Sequence, residues 1–230
     1  MVALVIINLD RRSDRLKSLE CHLHENKFDF IEEIERVSGV TTLENGKSSN
    51  HNFTPAKGCM LSHRNAILLA KTKGWKHVMV IEDDARFASN AGVVFQEAMN
   101  ILSLNNREWS VLFGACVMFQ SRGFTQVVSS STTQLLKLRP NQIITGTHCV
   151  VYNSNYYDKI IDLINNEISS QDPYHLDMLL SLNVPHIYLT VPFLALFTEN
   201  ETSDVRIGKN TNIDYQNIVE SQKRAIAKFQ

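Results

Sequence analysis

The stretch Val78-Met79-Val80-Ile81-Glu82-Asp83-Asp84 decides the fold. Four apolar residues run without a polar break, as a strand buried on both faces requires, and three carboxylates follow at once. A second run of the same kind, Val2-Ala3-Leu4-Val5-Ile6-Ile7, lies upstream and ends at Asn8 and Asp10. Between the two, Leu16, Leu19 and Leu23 repeat at helical spacing. Asp10 or Ser13 suits the cap of this helix, which is expected to run to about Asn26. A weaker strand over residues 30–37 and a polar loop over residues 41–55 lead to a second helix, predicted over residues 58–73. Leu61, Ile67, Leu68 and Leu69 form its apolar stripe, and Gly74 is its expected stop.

Beyond the acidic triplet, a helix is predicted near residues 88–104 and a strand at residues 109–113. This β-α-β-α-β-α-β rhythm predicts a mainly parallel sheet covered by helices. Residues 115–140 read as short strands and loops, antiparallel in part. A strand at residues 146–152, helices near residues 154–166 and 173–182, and a last strand at residues 186–190 complete the pattern. From residue 198 the chain turns polar, and residues 214–228 are expected as a terminal helix or loose tail. The expected organisation is one α/β domain over residues 1–206 with a polar tail or helix over residues 207–230.

Composition narrows the function. The chain has 230 residues, 43% hydrophobic and 20% charged, an ordinary globular balance that excludes a disordered, collagen-like or coiled-coil protein. Lys and Arg number 23 against 24 Asp and Glu, for a net charge of −1, so the basic excess of a nucleic-acid binder is missing. No apolar run is long enough to span a bilayer. The run at residues 2–7 meets Asp10, Arg11 and Arg12 where a leader's cleavage site would sit, so a cytoplasmic protein without an export signal is expected. Cys21, Cys59, Cys116 and Cys149 form no Cys-x-x-Cys pair and read as reduced packing residues; a zinc site would need clustered ligands. The sequons at Asn52 and Asn200 carry meaning only in a secretory lumen.

Three motifs carry chemistry. In an open α/β sheet, ligands bind beyond the carboxyl ends of the strands, which is where Glu82-Asp83-Asp84 falls. Adjacent carboxylates repel unless neutralised, and hard Mg²⁺ or Mn²⁺ neutralises them well. With strand geometry continuing, Glu82 and Asp84 point the same way and share one ion. The plainer alternative is a solvated acidic turn. Second, Gly58-Cys59-Met60-Leu61-Ser62-His63 opens the predicted helix, whose free N–H groups suit a phosphate. Ser62 and His63 offer hydrogen bonds there, or serve packing alone. Third, Asn8-Leu9-Asp10-Arg11-Arg12-Ser13-Asp14-Arg15 sets arginine forks after the first strand, suited to diphosphates.

Taken in order, these motifs resemble glycosyltransferase family 25, the lipopolysaccharide-type glycosyltransferases that include the collagen β-galactosyltransferases. The carriers are Ile7-Asn8-Leu9 with Arg12 and Arg15, Gly58-Cys59 with Ser62-His63, Glu82-Asp83-Asp84, and Gly146-Thr147-His148 before Val150-Val151-Tyr152. Asp177 and Ser203-Asp204-Val205 extend the match. Lys57 departs from it, standing where members often carry an acid. The resemblance implies a GT-A type Rossmann-like fold and an inverting, metal-dependent transfer, usually of galactose from a UDP-sugar donor. It implies Mn²⁺ (or Mg²⁺) on Glu82 and Asp84, with Asp84 the leading ligand. It places Asn8, Arg12, Arg15, Ser62, His63 and Asp83 around the donor, and Asp177, then His148, as the base. The acceptor expected is a hydroxyl of a glycan, a lipooligosaccharide or another molecule. Peripheral membrane contact is compatible with this, although no basic amphipathic stretch is evident.

Two other classes stay open at this level. A non-catalytic sugar-nucleotide or glycan-binding protein on the same fold would bind donor without turnover. A metal-dependent phosphoesterase would want further clustered ligands, and the 8 histidines are dispersed.

Overall fold

A computed structural model describes residues 2–26, 28–41, 43–44, 47–48, 54–104, 107–116, 123–130 and 132–197. Ser203-Asp204-Val205, the Asn200 sequon and the tail over residues 207–230 lie outside the described residues. The first half runs β1 (Val2–Asn8), α1 (Ser13–Asn26), β2 (Ile31–Ser38), β3 (Leu43–Glu44), β4 (Lys47–Ser48), α2 (Pro55–Lys73) and β5 (His77–Glu82). Next come β6 (Ala85–Phe87), α3 (Ala91–Leu104), β7 (Val111–Phe113), β8 (Phe124–Ser129) and β9 (Gln134–Leu138). The last part is β10 (Cys149–Asn153), α4 (Tyr157–Glu167), α5 (Leu176–Asn183), β11 (Ile187–Val191) and β12 (Ala195–Phe197).

The fold is α/β, built on an 8-stranded sheet of order β2-β1-β5-β10-β7-β11-β9-β8. β2, β1, β5, β7, β11 and β8 share one direction, so the sheet is mainly parallel; β10 and β9 run against it. The reversed β10 fills the slot between β5 and β7, which sequence rhythm alone does not reveal. Helices cover the sheet: α2 packs on β1, β5 and α4, and α3 packs on β9 and β11. The core lies along the middle strands, where Leu4, Met79, Val151, Leu112 and Tyr188 are cross-strand partners in succession. All five are buried, and each fully buried apolar side chain contributes about 1.5–3 kcal/mol before entropy is counted.

α2 begins earlier than the predicted residue 58. Thr54 caps it by accepting the Lys57 N–H at 3.3 Å, and Pro55 occupies the first turn, where its missing N–H costs nothing. Gly74 ends it as expected, in the left-handed region at φ 72°, with its N–H on Ala70 O and Lys71 O. The chain after Asp84 also departs from expectation: β6 pairs antiparallel with β12 in a separate ribbon, which delays α3 to Ala91.

Candidate functional site

The acidic triplet sits where β1 and β5 end side by side, with Ile7 in register with Glu82. Because β10 runs against β5, the turn Gly146-Thr147-His148 that feeds it arrives beside the same strand end. The Glu82 N–H donates to His148 O at 3.1 Å. Glu82 and Asp83 then diverge, and Asp84 beside them is buried.

Asp83 faces inward and is 6% exposed. Its Oδ2 accepts from Asn8 Nδ2 at 2.7 Å and its Oδ1 from Arg15 Nη1 at 3.0 Å. Burial pushes its carboxyl up against the pull of Asn8 and Arg15. Asn8 in turn accepts from Arg36 Nε at 3.2 Å and donates to Arg12 O at 2.9 Å. This network joins the ends of β1, β2 and β5 to the start of α1, and the second acid of the triplet holds the strand ends together.

Glu82 lies on another side of the turn. Its Oε1 accepts from Thr147 Oγ1 at 2.6 Å and stands 3.5 Å from His63 Nε2. His63 is buried on α2, and its Nδ1 meets the Tyr152 hydroxyl at 2.8 Å. Burial alone would raise the Glu82 carboxyl, but His63 and Thr147 outweigh it and bring it down, so Glu82 is ionised. Cys59, one turn before His63, places Sγ 3.6 Å from Thr147 Oγ1. Burial pushes its thiol far up, and the charges of Glu82, Asp177 and Asp84 add to this. The Cys59, His63 and Glu82 ligand atoms all lie within 4.8 Å of one another. Cys59 is thus more than the packing residue its scattered placement suggests; its i, i+4 spacing to His63 is the sequence signal that puts both on one helix face.

Asp177 lies in the first turn of α5, where Oδ2 accepts from the Gly146 N–H at 2.7 Å and Oδ1 from the Met178 N–H at 2.8 Å. Gly146 adopts φ 101°, a backbone conformation that favours glycine. The carboxylate is thus oriented by backbone, with lone pairs remaining on both oxygens. His148 is 1% exposed, and burial lowers its imidazole to about 4 against the opposing charge of Glu82. It is neutral at neutral pH and a weak base.

The earlier start of α2 changes the setting of the second motif. Gly58 N–H bonds to Thr54 O at 3.2 Å, so Gly58 lies inside the helix and Ser62 and His63 further in. The Ser62 hydroxyl donates to Gly58 O at 2.7 Å and accepts the Val40 N–H at 2.8 Å. Ser62 thereby ties the chain after β2 to α2. Arg12 forks onto Asp14 with two bonds of 3.0 Å.

No protein-family model matches the chain, and no curated protein matches it. Among solved structures, it is similar to a glycosyltransferase involved in the glycosylation of the major capsid of PBCV-1, with a TM-score of 0.41 and 5% identity. That alignment covers 71% of this chain and 65% of the other, so the chain spans less than two thirds of that relative. A197 from STIV aligns at TM-score 0.43 and 12% identity over 91% of this chain and 100% of its own. Mannose-1-phosphate geranyltransferase from Thermus thermophilus aligns at 0.35 and 10% over 82% and 72%. Likeness at this level leaves the chemistry to the site. Among the described residues, no helix is long and apolar enough to cross a membrane.

Proposed function

We propose that the chain is an inverting, metal-dependent glycosyltransferase that moves a hexose from a UDP-sugar to a hydroxyl of a glycan or similar acceptor, with galactose the first donor to test. The observation that supports this reading is the position of Glu82 at the carboxyl end of β5, in register with the end of β1, with the buried Asp84 two residues on. Oxygen ligands of this kind fit a hard divalent cation, Mn²⁺ or Mg²⁺, with Asp84 the leading ligand and Glu82 beside it. When bound, such an ion neutralises charge on a leaving diphosphate. Asn8, Arg15 and Asp83 act on the donor through the turn they brace, and Arg12, Ser62 and His63 border the same end of the sheet.

Inversion needs one base opposite the leaving group. Asp177 fills that role: its carboxylate takes the proton of the acceptor hydroxyl as that oxygen bonds to the anomeric carbon. The bond from that carbon to UDP breaks with its electrons leaving on the diphosphate. His148, neutral and buried, ranks behind it as a base. The test is UDP release from UDP-hexoses with Mn²⁺, with and without chelator, alongside calorimetry of UDP binding. Mn²⁺-dependent release lost in Asp84→Ala supports the reading. Donor binding with no turnover for any UDP-sugar points to a binding protein instead, and absence of both binding and release overturns the proposal.

A further inference from the structure

We propose that Cys59, His63 and Glu82 form a thiolate–imidazole–carboxylate site for one borderline transition-metal ion, zinc in class, which draws on the same Glu82 carboxylate as the hard cation assigned above but adds sulfur and imidazole to it. The inference stands on these three side chains and holds whether or not the chain transfers a sugar.

Geometry carries it. Two ligands at zinc bond lengths on a tetrahedral ion lie about 3.3 Å apart, and a sulfur and a nitrogen about 3.6 Å apart. His63 Nε2 and Glu82 Oε1 are already 3.5 Å apart, and all three ligand atoms fall within 4.8 Å. Closing on an ion therefore asks for side-chain movement of about 1 Å at most. Cys59 and His63 share one face of α2 by their i, i+4 spacing, and Glu82 is fixed at the end of β5.

The surroundings are built as metal sites are built around their ligands. The Tyr152 hydroxyl, 2.8 Å from His63 Nδ1, holds the ring so that Nε2 faces the site. Thr147 orients Glu82 by donating to it at 2.6 Å, and its oxygen lies 3.6 Å from the Cys59 sulfur. Ion binding selects the tautomer that donates Nδ1–H to the Tyr152 hydroxyl, so the cation takes the place of the Nε2–H that faces Glu82 in the ion-free site. Sulfur and imidazole select zinc, cobalt or iron over magnesium and manganese. Three protein ligands leave a fourth position open to water or substrate. As the sulfur–metal bond forms, the Cys59 proton passes to solvent.

Cobalt(II) reports the site, because thiolate ligation gives an intense near-ultraviolet charge-transfer band and tetrahedral geometry gives strong visible bands. Titration of the metal-stripped full chain with Co²⁺ should raise both bands to one equivalent. Zn²⁺ should abolish them, while a 100-fold excess of Mg²⁺ should leave them. Cys59→Ser should remove the charge-transfer band and Cys21→Ser should not. In the unaltered protein, X-ray absorption at the zinc edge should count one sulfur ligand, a readout that needs no variant to fold. Absence of the bands, their survival in Cys59→Ser, or a zinc shell without sulfur overturns the proposal. Mn²⁺-dependent UDP release, scored separately, reports the glycosyltransferase reading and not this one.

Discussion

Arg15 Nη1 donates to Asp83 Oδ1 at 3.0 Å, with side-chain exposures of only 4% and 9%. The pair ties the first turn of α1 to the turn after β5, and Asn8 completes the carboxylate's bonding. Removing one partner of a buried ion pair strands the other, which costs about 3–5 kcal/mol. Arg15→Met should therefore lower stability by that amount in urea denaturation, with the slope unchanged. A loss below about 1 kcal/mol would mean that the guanidinium does not hold the turn.

Much of this architecture was legible from buried runs. Continuous apolar stretches at residues 2–7 and 78–81 named two adjacent parallel strands, because a strand covered on both faces carries such a run. Strand alternation already sends Glu82 and Asp83 to opposite sides, but their partners were not legible, since these depend on what the neighbouring strands and turns offer. Here Asn8 and Arg15 capture Asp83, while Thr147 captures Glu82. The reversal of β10 was hidden too, because hydrophobic periodicity carries no strand direction. Thr54-Pro55 did announce the start of α2 in cap-and-proline form, but the later Gly58 drew the expected boundary inward.

Asp177 separates chemistry from binding. Asparagine retains one oxygen to accept from the Gly146 or Met178 N–H, so Asp177→Asn should fold. It removes the proton acceptor, and general-base loss typically costs about 10²–10⁴-fold in rate. Turnover with a UDP-hexose and Mn²⁺ should fall by that factor, with UDP affinity in calorimetry close to that of the parent. Unchanged turnover would remove Asp177 from the base role.

His148 should govern acid sensitivity. Its imidazole is lowered from 6.5 to about 4, chiefly by burial. Between those values the unfolded chain binds a proton that the folded chain refuses, so stability is lost as pH falls through this window. Above pH 6.5 the residue adds no pH dependence. A depression of this size is worth about 3 kcal/mol. Denaturant titrations from neutral pH down through this window should show that loss in the parent protein, and His148→Leu should flatten the profile. An equally steep profile in the variant would assign the acid lability to another group.

Gly114 packs where β7, β10 and the segment leading to β12 converge. Its N–H donates to Cys149 O at 2.9 Å and its carbonyl accepts the Leu194 N–H at 2.6 Å. A Cβ there would lie 2.6 Å from Cys149 Sγ and 2.9 Å from Leu194 Cδ1, well inside contact distance. Both neighbours are fully buried, so neither can swing into solvent. Overpacking of this kind costs about 1–3 kcal/mol, and in a domain of this size each kcal/mol lowers Tm by about 2–4 °C. Gly114→Ala should therefore melt several degrees below the parent in calorimetry. Adding Cys149→Ala removes the sulfur that the new methyl strikes, so the double variant should recover part of the loss expected from adding the two single effects. Strict additivity of the two would show that the clash is relieved elsewhere, by movement of Leu194 or of the strand end.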